Sequence, residues 1–353
     1  MSSNAYEELA KRLNALPNGF PPTEDGREIK LLAKLFTPEE AGLAAQLRPW
    51  FEIPEDIAAR TGREIQELRG QLKAMSRRGL IEAGRKNGAL SFKLMPFVVG
   101  IYEMQVSTMD SEMAQLFEDY FQSAFGKMLS VKPQFHRVIP VYETVRNSME
   151  VHPFESAAQI INAMQSWGVL DCICRKQKAL IGQPCEHPID VCMIMNPRPN
   201  AFDDSSVIRS LTHDQAMETL RHAAEAGLIH SVSNNQEGVY YICNCCTCSC
   251  GILRGMAELG IANVVARSAF VNQVDEDLCN GCENCIKYCQ FNGLTMVDFL
   301  PNVDALRCVG CGVCVLACPT GALGLVRRPA EEVMRIPETP AEWRTQRAVS
   351  RGL

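Results

Sequence analysis

The stretch CNGCENCIKYCQ at residues 279–290 recurs as CVGCGVCVLACP at residues 308–319, and this repeat is the strongest structural signal in the chain. Both copies have the spacing C-x2-C-x2-C-x3-C. Soft thiolates at this spacing let one short loop present three sulfurs to a single iron–sulfur cube, and the fourth cysteine of each motif ligates the other cluster. The spacing therefore predicts two [4Fe-4S] clusters. Their ligands are Cys279, Cys282, Cys285 and Cys318 for the first, and Cys308, Cys311, Cys314 and Cys289 for the second.

This C-terminal stretch, residues 275–326, resembles the bacterial two-cluster ferredoxin domain, and the resemblance implies a two-cluster ferredoxin fold. One departure is Gln290, which stands where the first motif would normally carry the proline that Pro319 supplies in the second. Structural zinc is the alternative for cysteine runs, but zinc sites usually use two separated C-x2-C pairs. Tight backbone passage around a cube is expected at Gly281, Gly310 and Gly312, where free N–H groups can donate to cluster sulfur.

The composition is typical of a globular protein, and its many cysteines indicate metal or redox sites. Its 353 residues are 46% hydrophobic and 22% charged, with a net charge of −6, so two or three domains are expected and no strong attraction to nucleic acid or membrane. No run of about 18 apolar residues exists, and MSSNAYEELAKRL lacks the apolar stretch of a signal peptide. We therefore expect a cytoplasmic protein. Disulfides do not persist there, so the 17 cysteines indicate metal or redox sites.

The N-terminal region carries an ordered series of helix signals. They are a capping box from Thr37 to Glu40, a helix start at Pro54, helical periodicity over residues 63–78, and the turn Asn87-Gly88 of a hairpin. Helix, helix, helix and hairpin in this order resemble a winged-helix domain over roughly residues 25–97. That resemblance implies that the third helix and the wing read DNA.

The charge of this region favours a protein partner or a dimer over DNA. Phosphate contacts are available from Arg63, Arg69, Lys73, Arg77, Arg78, Arg85 and Lys86. However, Glu64 and Glu67 lie on the same helix, and residues 1–100 hold 15 Lys plus Arg against 13 Asp plus Glu. A dedicated DNA-binding module is usually more basic. Residues 113–129 then form a wide apolar helical stripe, for which a core position is favoured and a homodimer seam is the alternative.

Nine further cysteines lie between residues 172 and 250, and the sequence leaves their grouping open. They are Cys172, Cys174, Cys185, Cys192, Cys243, Cys245, Cys246, Cys248 and Cys250. In an extended chain, alternate residues face the same side. Cys246, Cys248 and Cys250 would then share one face, and Cys243 and Cys245 the other. The capping box Thr212–Gln215 and the hairpin pattern of residues 228–243 predict that a strand carries the second group back towards the first.

Taken together, the CICR segment, the later pair Cys185 and Cys192 in CEHPIDVCM, the CNCC segment and the trailing dicluster motif resemble a family of ferredoxin-like proteins from anaerobic metabolism. The resemblance implies one or two additional clusters, and nine thiols would satisfy two four-thiolate cubes with one left over. Two rival interpretations stay open. In the first, one site holds zinc with His187 as the fourth ligand, although a histidine beside a proline such as Pro188 is more commonly a loop residue. In the second, some thiols form an unusual cluster with shared ligands. Arg175 either donates to a cluster sulfur or is solvated.

The sequence thus predicts an α+β, multidomain protein with a mixed α/β cysteine-rich middle. The expected divisions are a winged-helix-like domain at 1–100, an amphipathic helix and connector at 101–150, a cysteine-rich domain at 151–270, a dicluster domain at 271–326 and an extended tail at 327–353. In that tail, Trp343 is expected to anchor an interface.

The favoured function is electron transfer through several [4Fe-4S] clusters, to or within a larger anaerobic oxidoreductase. No G-x-G-x-x-G motif follows a strand, no P-loop is present and no catalytic constellation stands out. A stand-alone enzyme is therefore less favoured than a carrier with a redox partner protein. The alternatives are an iron–sulfur redox-responsive winged-helix regulator, or a factor that matures or activates one enzyme.

Overall fold

The computed structural model describes residues 2–141, 144–145, 151–205 and 207–353, and its mixture of helices and small sheets is α+β. The chain divides into two compact units. Unit 1 comprises Met1–Met128, Ala179–Gln183 and Arg347–Leu353, and unit 2 comprises Leu129–Lys178 and Pro184–Gln346. Among the described residues, we find no helix that combines the length and the apolar character needed to cross a membrane.

Unit 1 contains the expected order of helices and hairpin, preceded by two helices that we did not predict. Its elements are α1 (Ser2–Asn14), α2 (Arg27–Leu35), α3 (Pro38–Gln46), α4 (Pro54–Thr61), α5 (Ile65–Arg77), β1 (Glu82–Lys86), β2 (Ala89–Lys93) and α6 (Ser111–Ser123). The capping box of Thr37 and Glu40 opens α3 as predicted. Asn87 and Gly88 form the turn between β1 and β2, with positive φ angles of 52° and 83°.

The apolar stripe of α6 belongs to an aromatic core within unit 1. Tyr102 stacks on Phe117 with ring centroids 3.8 Å apart, and Phe20 lies 4.6 Å from Phe97. The hydroxyl of Tyr120 donates to the Pro21 carbonyl at 3.0 Å. Because these aromatic side chains are covered by the chain itself, the stripe is core, as favoured, and does not form an exposed dimer seam.

Our expectation of an extended tail is wrong for residues 340–350, because helix α13 (Pro340–Ser350) occupies them. The Thr339 hydroxyl accepts from the Glu342 N–H at 3.2 Å, which is an N-cap bond followed by a first-turn proline. The pattern Thr-Pro-x-Glu at 339–342 is the same pattern that opens α3 at Thr37, and it predicts this second helix start. Trp343 is an anchor inside the chain, since its indole N–H donates to the Gln134 carbonyl at 2.8 Å.

Arg347, in unit 1, is fully buried and bonded to backbone. Its Nε donates to the Pro17 carbonyl at 3.0 Å and its Nη2 to the Met128 carbonyl at 2.8 Å. Burial, with help from the charge of Arg351, lowers the pKa of Arg347 to about 9, so it remains charged at neutral pH. The guanidinium therefore holds the C-terminal residues in unit 1 through hydrogen bonds to two backbone carbonyls.

Arg347→Met should destabilise the protein by about 2–4 kcal/mol, because two backbone carbonyls lose their donor, and a carbonyl left unpaired inside the protein costs about 1–3 kcal/mol. Urea unfolding followed by circular dichroism would measure this loss. Arg344→Met, at an exposed position on the same helix, is the control and should change stability by less than about 0.5 kcal/mol. Equal unfolding midpoints for the two variants would contradict the proposed role of Arg347.

The middle of unit 2 is a six-stranded antiparallel sheet in the order β3-β7-β8-β5-β4-β6. Its strands are β3 (His136–Val138), β4 (Ser166–Leu170), β5 (Cys192–Asn196), β6 (Arg209–Leu211), β7 (Ile229–Ser233) and β8 (Tyr241–Cys245), and its helices are α7 (Ala157–Asn162), α8 (which begins at Ile173 and ends at Leu180), α9 (His213–Glu225) and α10 (Arg254–Ala257). As predicted, Thr212 and Gln215 form a capping box that opens α9, and β7 pairs with β8. Apolar residues of β4, β5 and β8 pack against α7 and α9.

The C-terminal part of unit 2 consists of short elements around the predicted cluster motifs. They are β9 (Phe270–Val274), α11 (Asn284–Tyr288), β10 (Leu294–Val297), β11 (Leu300–Val303), α12 (Val313–Leu316) and β12 (Leu323–Arg327). Strand β9 pairs with β12, and β10 pairs with β11, both antiparallel. Each motif thus runs from a loop into a helix of about one turn, which suits a backbone that must wrap a small cofactor.

Candidate metal centres

Four C-terminal thiols line a single small cavity in unit 2. They are Cys289, Cys308, Cys311 and Cys314, the four ligands predicted for the second cluster. Burial, and then the charges of Cys308 and Cys289, raises the pKa of Cys311 to about 12. Buried thiols that repel one another become thiolates readily only when a cationic centre is present. The cavity therefore fits a [4Fe-4S] cluster.

One glycine beside this cavity has no space for a side chain. Gly312 has φ +82°, and a Cβ there would lie 2.1 Å from the Thr144 hydroxyl oxygen. Two donors reach sulfurs of the predicted ligands: the Asn272 side-chain amide donates to Cys314 Sγ at 3.2 Å, and the Gly293 N–H donates to Cys289 Sγ at 3.2 Å. Such bonds stabilise ligand sulfur and tune a cluster's potential.

The predicted first group lies nearer the surface. Burial, followed by the charges of Cys318 and Cys282, raises the pKa of Cys285, so these three thiols are close enough to interact. Cys282 is exposed, whereas Cys285 is buried. Cys279 opens the same loop, with its N–H donating to the Glu276 carbonyl at 3.3 Å. Three of the four predicted ligands, Cys282, Cys285 and Cys318, are therefore close enough to affect one another's charge. That all four bind the first cluster stays a prediction.

Asn272→Leu should lower the midpoint potential of the cluster held by Cys314 by about 40 mV. A hydrogen bond to sulfur stabilises the more negative reduced state, and about 1 kcal/mol of it corresponds to this shift for one electron. An EPR-monitored redox titration would measure the change. The control Asn302→Leu, at an exposed position of β11, should keep the wild-type potential. An unchanged potential in Asn272→Leu would show that the amide does not tune the cluster.

Gln290 connects the ferredoxin motif to the central cysteines. Its side-chain oxygen accepts from the Thr247 N–H at 2.8 Å, and its side-chain nitrogen donates to the Gly227 carbonyl at 2.6 Å. A proline at this position could make neither bond. The departure from the usual motif therefore supplies a contact between the residue after Cys289 and the turn that follows Cys246 and contains Cys248.

The nine central thiols separate into two groups, and the larger one, here called the six-thiol group, surrounds the start of α8. It consists of Cys172, Cys174, Cys192, Cys243, Cys245 and Cys250. Side-chain hydrogen bonds join Cys172 to Cys174 and Cys192. Others join Cys250 to Cys174 and Cys245. Strands β5 and β8 are neighbours in the sheet, which explains why their cysteines meet.

Only one member of the six-thiol group ionises easily without a metal. Hydrogen bonds from Cys174 and Cys192 lower the pKa of Cys172. The hydrogen bond to Cys172, then burial, raises the pKa of Cys192. Each further buried thiolate would repel the first, so this group needs a multivalent cation or a cationic cluster to hold its sulfurs ionised. Six thiols exceed the four that one cube uses.

The smaller group, here called the Cys3His group, contains Cys185, His187, Cys246 and Cys248. Their ligand atoms all lie within 4.8 Å of one another. The hydrogen bond from Cys248, followed by that from His187, lowers the pKa of Cys246 to about 3. His187, although a loop role is commoner for a histidine beside a proline, lies among three thiols. Its sequence signal was the spacing Cys-x-His at 185–187.

Our expectation that alternation would group Cys250 with Cys246 and Cys248 is wrong. Strand β8 ends at Cys245, and residues 247–249 form a turn. The Cys250 N–H donates to the Cys246 carbonyl at 3.1 Å. Because the chain reverses there, Cys250 returns to the six-thiol group, and side-chain alternation no longer applies.

Arg175 is buried, with 3% of its surface exposed, so the solvated alternative is wrong. Its two Nη atoms donate to the carbonyls of Pro188 and Asn244, each at 2.9 Å, and Nη2 also lies 3.6 Å from Cys246 Sγ. Burial would lower the pKa of Arg175, but the charges of Cys172, Cys246 and Cys245 more than offset it and raise the pKa. The guanidinium therefore compensates negative sulfur in both central groups.

Asn244 and His230 complete the support of these groups. The Asn244 amide nitrogen donates to the Val191 carbonyl at 2.7 Å, and its oxygen lies 2.6 Å from His230 Nδ1. Burial lowers the pKa of His230 to about 4, so the ring is neutral at physiological pH and Nδ1–H donates to this oxygen. Strand β8 is thereby joined to the loop that carries His187.

In unit 1, two of the basic residues considered for DNA contact are already paired. Arg69 forms an ion pair with Glu55, and Arg78 with Glu40, the latter at 2.6 Å. The side chain of Arg85 donates to the Gly88 carbonyl at 2.8 Å. These contacts reduce the positive charge available to phosphates on this surface.

Comparison with known proteins identifies the C-terminal motifs. Residues 272–295 and 301–324 match the family model described as "4Fe-4S binding domain". No curated protein and no solved structure matches the chain. The two adjacent motifs make this an iron–sulfur protein, with both copies of the cysteine repeat inside the matched residues.

Proposed function

We propose that this chain is an electron-transfer protein that relays electrons through several [4Fe-4S] clusters to or within a larger anaerobic oxidoreductase. The observation that carries the proposal is the cavity lined by Cys289, Cys308, Cys311 and Cys314. When bound, each cluster supplies reversible one-electron transfer. The chain holds the sulfurs, donates to two of them from Asn272 and Gly293, and covers Cys314 from water. These are the features of a carrier, whose cofactor must change charge without changing ligands.

The exposed edge of the first group supports a redox partner at that surface. Cys282 is exposed, and Phe299, at the tip between β10 and β11, is 87% exposed. The Phe299 carbonyl oxygen lies 3.2 Å from a Cβ built at Gly281, so this tip is next to the loop of Cys282. An exposed aromatic side chain beside a redox ligand favours a transient protein interface. The partner would thus approach the first cluster more closely than the second.

The six-thiol group extends the proposal into the centre of unit 2. Its thiols supply more than one cube requires, so it accounts for at least one further cluster, with an unusual cluster of shared ligands as the alternative. Gln290, at the end of the first motif, accepts a hydrogen bond from Thr247, which lies between the six-thiol group's Cys245 and Cys250 in sequence. The two iron–sulfur regions are therefore held by a direct hydrogen bond within one unit.

The N-terminal elements are consistent with a winged-helix-like domain that docks a protein partner. Besides α3–α5 and the hairpin, Glu52 forms an antiparallel bridge with Phe92, which adds a third extended segment beside the wing. Ion pairs at Arg69 and Arg78 argue against a strongly basic DNA surface. A redox-responsive regulator is the second candidate function, and the order of these elements is the observation that favours it.

Anaerobic purification with iron, sulfide and redox analysis tests the first proposal. About eight irons per chain would fill the C-terminal pair, and about twelve to sixteen would include the central thiols. A carrier should also be reduced by dithionite, develop an EPR signal, and pass electrons to an acceptor protein. Preparations without iron and without an EPR signal would refute it.

The regulator is distinguished by DNA binding in the same preparation. Gel-shift measurements with duplex DNA should show affinity that falls steeply as salt rises if the winged helix reads DNA. The carrier proposal expects no such shift in either oxidation state. Salt-dependent binding that changes with cluster oxidation would favour the regulator.

A further inference from the structure

The four ligand atoms of the Cys3His group are spaced for one metal ion. All of them lie within 4.8 Å of one another. In a tetrahedral site with metal–sulfur bonds of about 2.3 Å, ligand atoms are about 3.8 Å apart. A four-iron cube binds each cysteine at a different iron and holds the sulfurs farther apart than a single ion does. The spacing therefore favours a mononuclear centre.

The donor set selects the kind of metal. Three sulfurs and one imidazole nitrogen are a Cys3His set, which is typical of structural zinc, and four protein ligands leave no open position for a substrate. The thiols of this group bond within it: Cys248 contacts Cys246, Cys185 and His187. The group is therefore chemically separate from the six-thiol group, and it lacks the fourth thiol that a four-thiolate cube would need.

Charge and outer contacts also fit a divalent ion. Three thiolates and a neutral imidazole around a divalent cation have a net charge of −1, which the buried guanidinium of Arg175 near Cys246 Sγ balances. The Ser249 hydroxyl reaches Cys248 Sγ at 4.0 Å. Donors to ligand sulfur are the usual outer contacts of thiolate metal sites.

We propose that Cys185, His187, Cys246 and Cys248 bind one zinc ion, which joins the loop of His187 to the turn after β8. Thr247, between two of these ligands, donates to Gln290 of the ferredoxin motif. The ion thereby orders the turn that contacts the first cysteine repeat. This site does not depend on the proposed electron-transfer function.

Metal analysis of the full-length protein, purified without oxygen, tests the site. We expect about one zinc per chain in addition to iron. Replacement of zinc by Co²⁺ should produce the strong visible absorption of a tetrahedral ion, with a sulfur-to-cobalt charge-transfer band. Absence of zinc, or Co²⁺ that shows only the weak visible absorption of an octahedral ion, would overturn the proposal.

Ligand variants then locate the ion. His187→Ala and Cys248→Ser should each reduce bound zinc at least about tenfold while the iron content stays at the wild-type value. His187→Cys should retain zinc, because a fourth thiolate is also a zinc ligand. His213→Gln, at a histidine outside the group, is the control and should also retain it.

Two results separate this proposal from an iron site and from misfolding. Loss of iron in place of zinc in His187→Ala would identify an iron centre and overturn the zinc assignment. Chelation of zinc from the wild-type chain should increase proteolysis at residues 184–191 with unchanged iron content. Unchanged proteolysis after zinc removal would contradict its role in ordering the loop. Failure of the carrier proposal would appear separately, as missing iron in chains that still bind zinc.

Discussion

Gly310→Ala is expected to lose the cluster of Cys308, Cys311, Cys314 and Cys289, which is about four irons per chain. A Cβ at Gly310 would lie 2.1 Å from the Phe270 carbonyl oxygen and 2.2 Å from the Ser268 hydroxyl oxygen. The first contact is strand backbone and the second is the hydroxyl of the buried Ser268, so little room is left for relaxation. The φ angle of +68° adds strain for any L side chain. The loop between the first two ligands should therefore move away from the cavity.

Iron and sulfide analysis of anaerobically purified protein would measure this loss. Gly321→Ala is a matched control, because Gly321 has nearly the same φ, +69°, and a Cβ there meets no atom within 4 Å. It should lose about 1 kcal/mol of stability and keep its iron. Wild-type iron content in Gly310→Ala would show that the cavity tolerates the displaced loop.

Arg175→Met should have the largest effect on stability, a loss of about 3–5 kcal/mol. The substitution leaves the Pro188 and Asn244 carbonyls without their donor and removes the positive charge near Cys246 Sγ. Buried anionic sulfur without a partner is costly, so both central cysteine groups should lose metal as well. Urea unfolding and metal content would measure the two consequences.

Two variants control for this substitution. Arg175→Lys keeps the positive charge, but a lysine cannot reach two carbonyls and a sulfur together. Compared with Arg175→Met, it should therefore restore most of the metal content but only a small part of the lost stability. Arg221→Met, at an exposed residue of α9, should change the free energy of unfolding by less than about 0.5 kcal/mol. Stability and metal content equal to wild type in Arg175→Met would refute the compensating role of this guanidinium.

Local signals in the sequence predicted much of the fold correctly. The capping boxes at Thr37 and Thr212 open helices, and Asn87-Gly88 forms the expected hairpin turn. Each depends on bonds between residues three or four positions apart, which sequence spacing specifies. The same Thr-Pro-x-Glu signal at 339–342 was present but overlooked, and the predicted extended tail was wrong there for that reason.

The candidate site was predicted only in part. The cysteine repeats predict two clusters because the spacing lets one loop supply three ligands, and the match to a 4Fe-4S binding domain supports iron–sulfur clusters there. By contrast, the turn at residues 247–249 redirects Cys250, and strand pairing brings Cys192 to Cys243. The spacing of residues in the sequence predicts neither arrangement, because both depend on how the chain folds back and which strands become neighbours. Arg175 was ambiguous for the same reason, since its burial results from segments distant in sequence.

The sequence alone identified seventeen cysteines as candidate ligands, eight of them in two repeats that match a 4Fe-4S binding domain. It also determined the caps and turns, since these interactions are made between near neighbours in the chain. Only the tertiary structure divided the central cysteines into six thiols and a Cys3His group, and only it placed Gln290 on Thr247. The physical reason is that ligand groups are defined by distances between strands and loops, and packing of the whole unit sets those distances.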